Sequence, residues 1–282
     1  MTTTVQPTAP DAPPASALLF GRRTVALLAL ATAAIVAIWL WLTPPGILGK
    51  ADALGYAVCH RIVERSFHIH ERPLPLCARC TGIYLGVWAG LGVFAARGRL
   101  RAARLPRVRL LAAMLLGVGL YGLDGLNSYL SLFERYAPLY EPHNTLRLLS
   151  GTTFGLALIT IVWPVFNSLL WRAPQDTPPV RSWGELAALY ALAAGAGALV
   201  LLDWPPLRAA LGAISAAGVL LMFGIVGCTL ILGIARRENR AARWRDLIAP
   251  ALAGLVFALL VTGAIDALRY ALTGTWGGFV LP

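Results

Sequence analysis

Residues 59–96 read CHRIVERSFHIHERPLPLCARCTGIYLGVWAGLGVFAA, and the two halves follow different rules. From Thr81 to Ala96 the chain is apolar and uncharged, with Gly82, Gly86 and Gly90 recurring every four residues. Small residues on one helical stripe let helix backbones approach closely in lipid, so this half predicts a membrane helix packed against a neighbour. The first half is polar and holds three of the four cysteines and three of the four histidines. A membrane helix that opens directly out of a Cys/His-rich segment places a chemical centre at its end.

Six further apolar runs flank this one. They fall at Thr24 to Leu42, Val108 to Leu130, Thr145 to Trp171, Trp183 to Leu202, Leu207 to Ala235 and Leu247 to Leu272. Runs of about 18 residues cover roughly 30 Å of hydrocarbon. Each must be helical, because lipid offers the backbone no hydrogen-bond partner. With 58% hydrophobic and only 13% charged residues in 282, the chain is expected to be an all-α, polytopic membrane bundle of about seven helices. Residues 1–23, rich in Pro, Thr and Ala, are expected to form a disordered cytoplasmic tail, and 24–282 the membrane domain. The first run is too long for a signal core and lacks a small-x-small cleavage site, so it is read as a retained anchor. Gly151 and Gly155 repeat the small-residue spacing in the fourth run, which makes the second and fourth runs central in the bundle.

The net charge of +11 does not point to nucleic acid. Its densest clusters, Arg97 to Arg109 and Arg236 to Arg245, sit in connections between apolar runs, where basic residues set topology. Alternate connections carry fifteen and nine Arg/Lys residues, and the richer side is the cytoplasmic one. The N-terminus is therefore expected inside, the C-terminus outside, and the 43–80 loop outside a multi-pass protein of the cell membrane. The lipid bilayer is the expected partner. Within that loop Ile47, Leu48, Ala51, Leu54, Val58 and Ile62 recur at helical spacing, predicting an amphipathic helix at the outer interface.

Cys77 and Cys80 form a CxxC at a helix start, where exposed N–H groups, the helix dipole and the adjacent Arg79 favour thiolate. Cys59 and His60 arrive from the preceding segment. Three sulfurs and one imidazole make a closed tetrahedral set of the kind structural zinc uses, so Cys59, His60, Cys77 and Cys80 are the expected metal ligands. His68 and His70 stand in reserve. The same cysteines allow two other uses: thiol-disulfide exchange by Cys77 and Cys80 with Cys59, or a structural disulfide. Cys228, inside a run, is expected to be a packing residue.

The segment from Cys59 to Gly86 (with Arg65, Ser66, Phe67, Cys77, Arg79, Cys80, Gly82 and Tyr84), then YGLDGLNSY at 121–129 and PHNTLRLLSGTTFG at 142–155, resembles the DUF2085 family of predicted polytopic membrane proteins. The resemblance runs from about Lys50 to Leu158. It implies a multi-span membrane fold and a site at these residues without naming a reaction, and it favours His60 over His68 and His70 as ligand.

Polar residues within or beside the runs form a second constellation. Asp124 and Asn127, near one helix end, face Asn144 and Arg147 at the start of another, and an Asp124 to Arg147 contact is the natural expectation because buried charges pair. With His143 at its rim, this pocket is the basis of a third function class, a transporter or small-molecule binder. Asp266 and Arg269, three apart, are expected to neutralise each other. No GxxxxGK, HExxH or GxSxG motif is present, and Thr81 rather than His follows the CxxC, so nucleotide, metalloprotease, serine-hydrolase and c-type haem chemistry are not indicated.

Overall fold

A computed structural model describes residues 20–133, 135 and 137–278; most of the expected N-terminal tail and the last four residues lie outside the described part. The chain is a helical bundle with one two-residue hairpin. Its helices are α1 (Arg22–Leu42), α2 (Gly46–Val58), α3 (Ala78–Ala96), α4 (Val108–Leu130), α5 (Asn144–Leu170), α6 (Trp183–Leu201), α7 (Pro205–Ile234) and α8 (Ile248–Thr273). Seven of these are long and apolar enough to cross a membrane; α2 is the exception. The hairpin joins β1 (His68–Ile69) to β2 (Arg72–Pro73), and its turn takes His70 to a positive φ of 54°.

The α3–α5 pair is the most extensive helix contact, as the glycine stripes predict. A Cβ on Gly82 or Gly86 would run into the backbone of Leu148 or Thr152, and one on Gly151 or Gly155 into the carbonyls of Arg79 or Ile83. Each stripe therefore seats the other helix's backbone, the close approach that drives association in lipid. The main apolar core wraps this pair with Val87, Phe94, Met114, Leu156, Ile159 and Leu189. By contrast α1 buries only Thr32 and touches the bundle chiefly through α8.

Two connections show more than their sequence indicates. The segment after α1 does form a helix, but α2 packs on α7 and α8 and buries Gly49, Ala51, Ala53, Leu54, Gly55 and Tyr56, while Ile47 is 79% exposed. Its small residues let it sink into the bundle instead of lying on the surface; Gly55 has no room for a Cβ against the Pro75 carbonyl. The basic connections also have structural partners. Arg99 grips Glu185 through two hydrogen bonds of 2.6 and 2.8 Å, and Asn167 Nδ2 donates to the carbonyls of Leu100 and Ala102. The opposite end of the bundle carries the cysteines.

Candidate functional site

The turn after α2 builds the first half of the site. Cys59 ends the helix with its N–H on the Gly55 carbonyl, and Arg61 takes a left-handed φ of 52°. That reversal brings the Arg61 N–H back to Cys59 Sγ at 3.4 Å and the Ile62 N–H to His60 Nδ1 at 3.0 Å. Two arginines fasten the turn. Arg269 of α8 donates to the carbonyls of Tyr56 and Cys59, both at 2.6 Å, and Arg61 bridges Asp52 at 2.8 Å and the Trp276 carbonyl at 3.0 Å.

The second half comes from the start of α3. Pro73 and Pro75 flank buried Leu74 and lead the chain to Cys77, the N-cap of α3. The Cys77 N–H also donates to Cys59 Sγ, at 3.3 Å. One turn later Cys80 completes the group: the sulfurs of Cys59, Cys77 and Cys80 all lie within 4.8 Å of one another. Leu76, Val219, Tyr84 and Phe223 wall them in; Cys59 and Cys77 are buried and Cys80 is half-buried.

This arrangement divides the protons unequally. Hydrogen bonds from the Cys77 and Cys80 thiols, then the charge of His60 and the Cys77 amide, hold Cys59 well below the usual thiol range despite its burial. Cys77, which shares its proton with Cys59, is pushed up to about 12. Burial lowers His60, and the neighbouring Cys59 charge works against that shift. The donor set offers three sulfurs, of which Cys59 gives up its proton most readily and the other two would be deprotonated by a bound cation. Such a set can hold a thiophilic metal ion or exchange disulfides.

His60 is not brought into the sulfur group: its Nδ1 is taken by the Ile62 amide, leaving Nε2 as its remaining ligand atom. His68 and His70 stay in the hairpin and do not join either. Cys228 is buried in the main core.

The second constellation is rearranged. The expected Asp124 to Arg147 contact gives way to an ion pair with Arg79, whose Nη2 lies 2.5 Å from Asp124 Oδ2. Tyr140 Oη and Ser150 Oγ donate to the same carboxylate at 2.8 and 3.2 Å. The reason is reach: Arg79 leaves α3 beside the cysteines and crosses to α4, whereas Arg147 Nη1 is held by Asn144 Oδ1 at 2.8 Å on its own helix. Asn127 ties down the 139–140 backbone, and His143 caps α5 by accepting the Thr145 N–H. Asp124, Asn127, His143, Asn144 and Arg147 thus cluster as connectors beneath the loop. Sequence reading missed Tyr140, Ser150 and the role of Arg269. It also paired Arg269 with Asp266, and the two charges do act on each other, though no hydrogen bond reaches either Asp266 oxygen among the described residues.

Comparison with known proteins isolates the same region. Residues 59–161 match the family model described as predicted membrane protein, DUF2085, which starts at the first cysteine and ends within α5. An uncharacterized protein of Methanothermobacter thermautotrophicus is 30% identical over 104 residues, covering 37% of this chain and 83% of that protein. An uncharacterized protein of Methanocaldococcus jannaschii is 27% identical over 115 residues, covering 41% of this chain and 67% of that protein. No solved structure matches the chain.

Proposed function

We propose, for a chain that belongs to the DUF2085 family of predicted membrane proteins, that the three cysteines bind a thiophilic metal ion at the end of a seven-span bundle, with zinc the first candidate. The observation that carries this reading is the convergence of Cys59, Cys77 and Cys80 sulfurs from two separate segments, with two backbone N–H groups aimed at Cys59. N–H donors of this kind stabilise a thiolate and outlast any single protonation state. Three sulfur ligands leave one tetrahedral position, which falls to His60 Nε2 or to water. When bound, the ion supplies charge neutralisation that locks the α2–α3 connection onto the bundle; Cys59, Cys77 and Cys80 hold it, and the Arg61 and Cys77 amides fix the Cys59 sulfur.

The basic bias supports a site on the non-cytoplasmic side of the cell membrane, with the N-terminus inside. Metal analysis of detergent-purified protein tests the centre. Near one equivalent of metal that disappears in Cys80→Ser is the expected outcome; metal-free protein with three reactive thiols in this group refutes it.

A second reading, thiol-disulfide exchange, is favoured by the same convergence, which sets the Cys59, Cys77 and Cys80 sulfurs within 4.8 Å of one another. The Cys59 thiolate would attack a substrate disulfide, releasing one substrate thiolate. Cys77 or Cys80 would then displace the second, leaving a reduced substrate and a new disulfide in this chain. A purified form with a reducible Cys59 bond and no metal would select it. The transporter reading has less support, since Asp124 is already saturated by Arg79, Tyr140 and Ser150.

A further inference from the structure

Away from the cysteines, a cavity of about 380 Å³ opens between the ends of α1 and α8, lined by Trp39, Leu42, Asp266, Tyr270 and Trp276 among others. Two polar groups in its wall make no hydrogen bond among the described residues. Asp266 is only 4% exposed and neither carboxylate oxygen accepts a hydrogen bond. The Trp39 indole N–H is likewise buried and undonated. Buried polar groups are paired in the great majority of cases, and a carboxyl facing the membrane is costly, so two complementary orphans in one cavity call for a ligand.

The neighbouring guanidinium groups of Arg61 and Arg269 act on Asp266 by charge, but the hydrogen bonds they make among the described residues go to other acceptors. Arg61 bonds Asp52 and the Trp276 carbonyl, and Arg269 bonds the carbonyls of Tyr56 and Cys59. Lys50 Nζ lies 5.9 Å from the Trp39 ring centre but is bonded to the carbonyls of Leu40 and Thr43 and to the Thr43 hydroxyl. The occupant must therefore bring its own hydrogen-bond donors to Asp266 and an acceptor for the Trp39 N–H. Aromatic walls favour a cation between them. The position fits an amphiphile, because α1 is buried at Thr32 alone and Leu42, at the cavity mouth, is 63% exposed.

We propose that this cavity binds a primary ammonium group with a nearby oxygen acceptor, the ammonium on Asp266 and the oxygen on the Trp39 indole. Such a group occurs in the ethanolamine head group of a phospholipid and in free amino alcohols. A quaternary choline head group carries the same charge but no N–H donor, which makes it the discriminating control.

The test uses the full-length protein, delipidated in detergent and titrated with phosphatidylethanolamine, phosphatidylcholine or soluble ethanolamine, with binding read by native mass spectrometry and tryptophan fluorescence. One ethanolamine lipid is expected per chain, at least about tenfold tighter than the choline lipid, the worth of a charged hydrogen bond. Asp266→Asn should abolish that preference, and Trp39→Phe should weaken binding without abolishing the preference. Competition by soluble ethanolamine alone would identify a free amino alcohol as the ligand; its failure while the lipid binds identifies the head group. Equal binding of the two lipids with no effect of ethanolamine overturns the proposal, as does wild-type behaviour of Asp266→Asn. Should Asp266→Asn fail to fold, loss of affinity in Trp39→Phe supports the site and its absence overturns it.

Discussion

Replacing Asp124 by Asn removes the carboxylate that pairs with Arg79 among the described residues and sets an amide donor among three donors, the Arg79 guanidinium, Tyr140 Oη and Ser150 Oγ. The pair is well sequestered, with side-chain exposures of 15% for Arg79 and 5% for Asp124. Removing one partner of a buried ion pair costs about 3–5 kcal/mol, and the residual exposure of Arg79 puts this change near the lower end, about 3 kcal/mol. Arg79→Met should cost a similar amount, because Asp124 then keeps two neutral donors against a full charge. The double variant, Asp124→Asn with Arg79→Met, should regain much of the loss, since neither side then leaves a charge to satisfy. Unfolding by sodium dodecyl sulfate in mixed micelles, followed by tryptophan fluorescence, would give the four free energies of the cycle. A coupling of about 2 kcal/mol is expected. Single-variant losses below about 1 kcal/mol, or strict additivity, would refute the view that this pair clamps α3 to α4 beneath the cysteines.

Other outcomes follow from the same geometry. Gly155→Leu should destabilise the bundle by more than about 2 kcal/mol in the same assay, because its side chain meets the Ile83 backbone, whereas Gly119→Ala, with open space around it, should be tolerated. Arg269→Met removes the donors that cap the Tyr56 and Cys59 carbonyls, and should raise the rate at which a maleimide modifies Cys59 by tenfold or more, measured by mass spectrometry. His60→Ala should weaken metal retention by about tenfold to a hundredfold in a chelator competition but leave a measurable site, in contrast to Cys80→Ser. A cysteine introduced at exposed Glu71 should react in intact cells with a membrane-impermeant thiol reagent, while one at exposed Arg240 should react only after lysis.

The glycine stripes of α3 and α5 show how far a one-dimensional pattern reaches. Gly82, Gly86, Gly151 and Gly155 announce a close helix pair, because only small residues permit that approach and their spacing is visible in the sequence. The depth of α2 was less legible. Its apolar stripe predicts a helix lying on or dipping into the outer interface, and how deep it sits depends on Gly49 and Gly55 meeting the backbone of Pro44 and Pro75, which periodicity does not encode. Side-chain pairing was less legible still: Arg79 reaches Asp124 only because α3 and α4 meet at that level.

Local composition and spacing were enough to determine the seven apolar helices, the placing of the two densest arginine clusters in connections other than the cysteine segment and the identity of the sulfur-bearing segments, since hydrophobic length and charge act residue by residue. The fold alone decided that three sulfurs converge while His60 stands aside, that Arg79 rather than Arg147 neutralises Asp124, and that the Asp266 carboxylate beside Trp39 accepts no hydrogen bond among the described residues. Those outcomes depend on distances across helices far apart in the chain, and such distances are set by backbone packing.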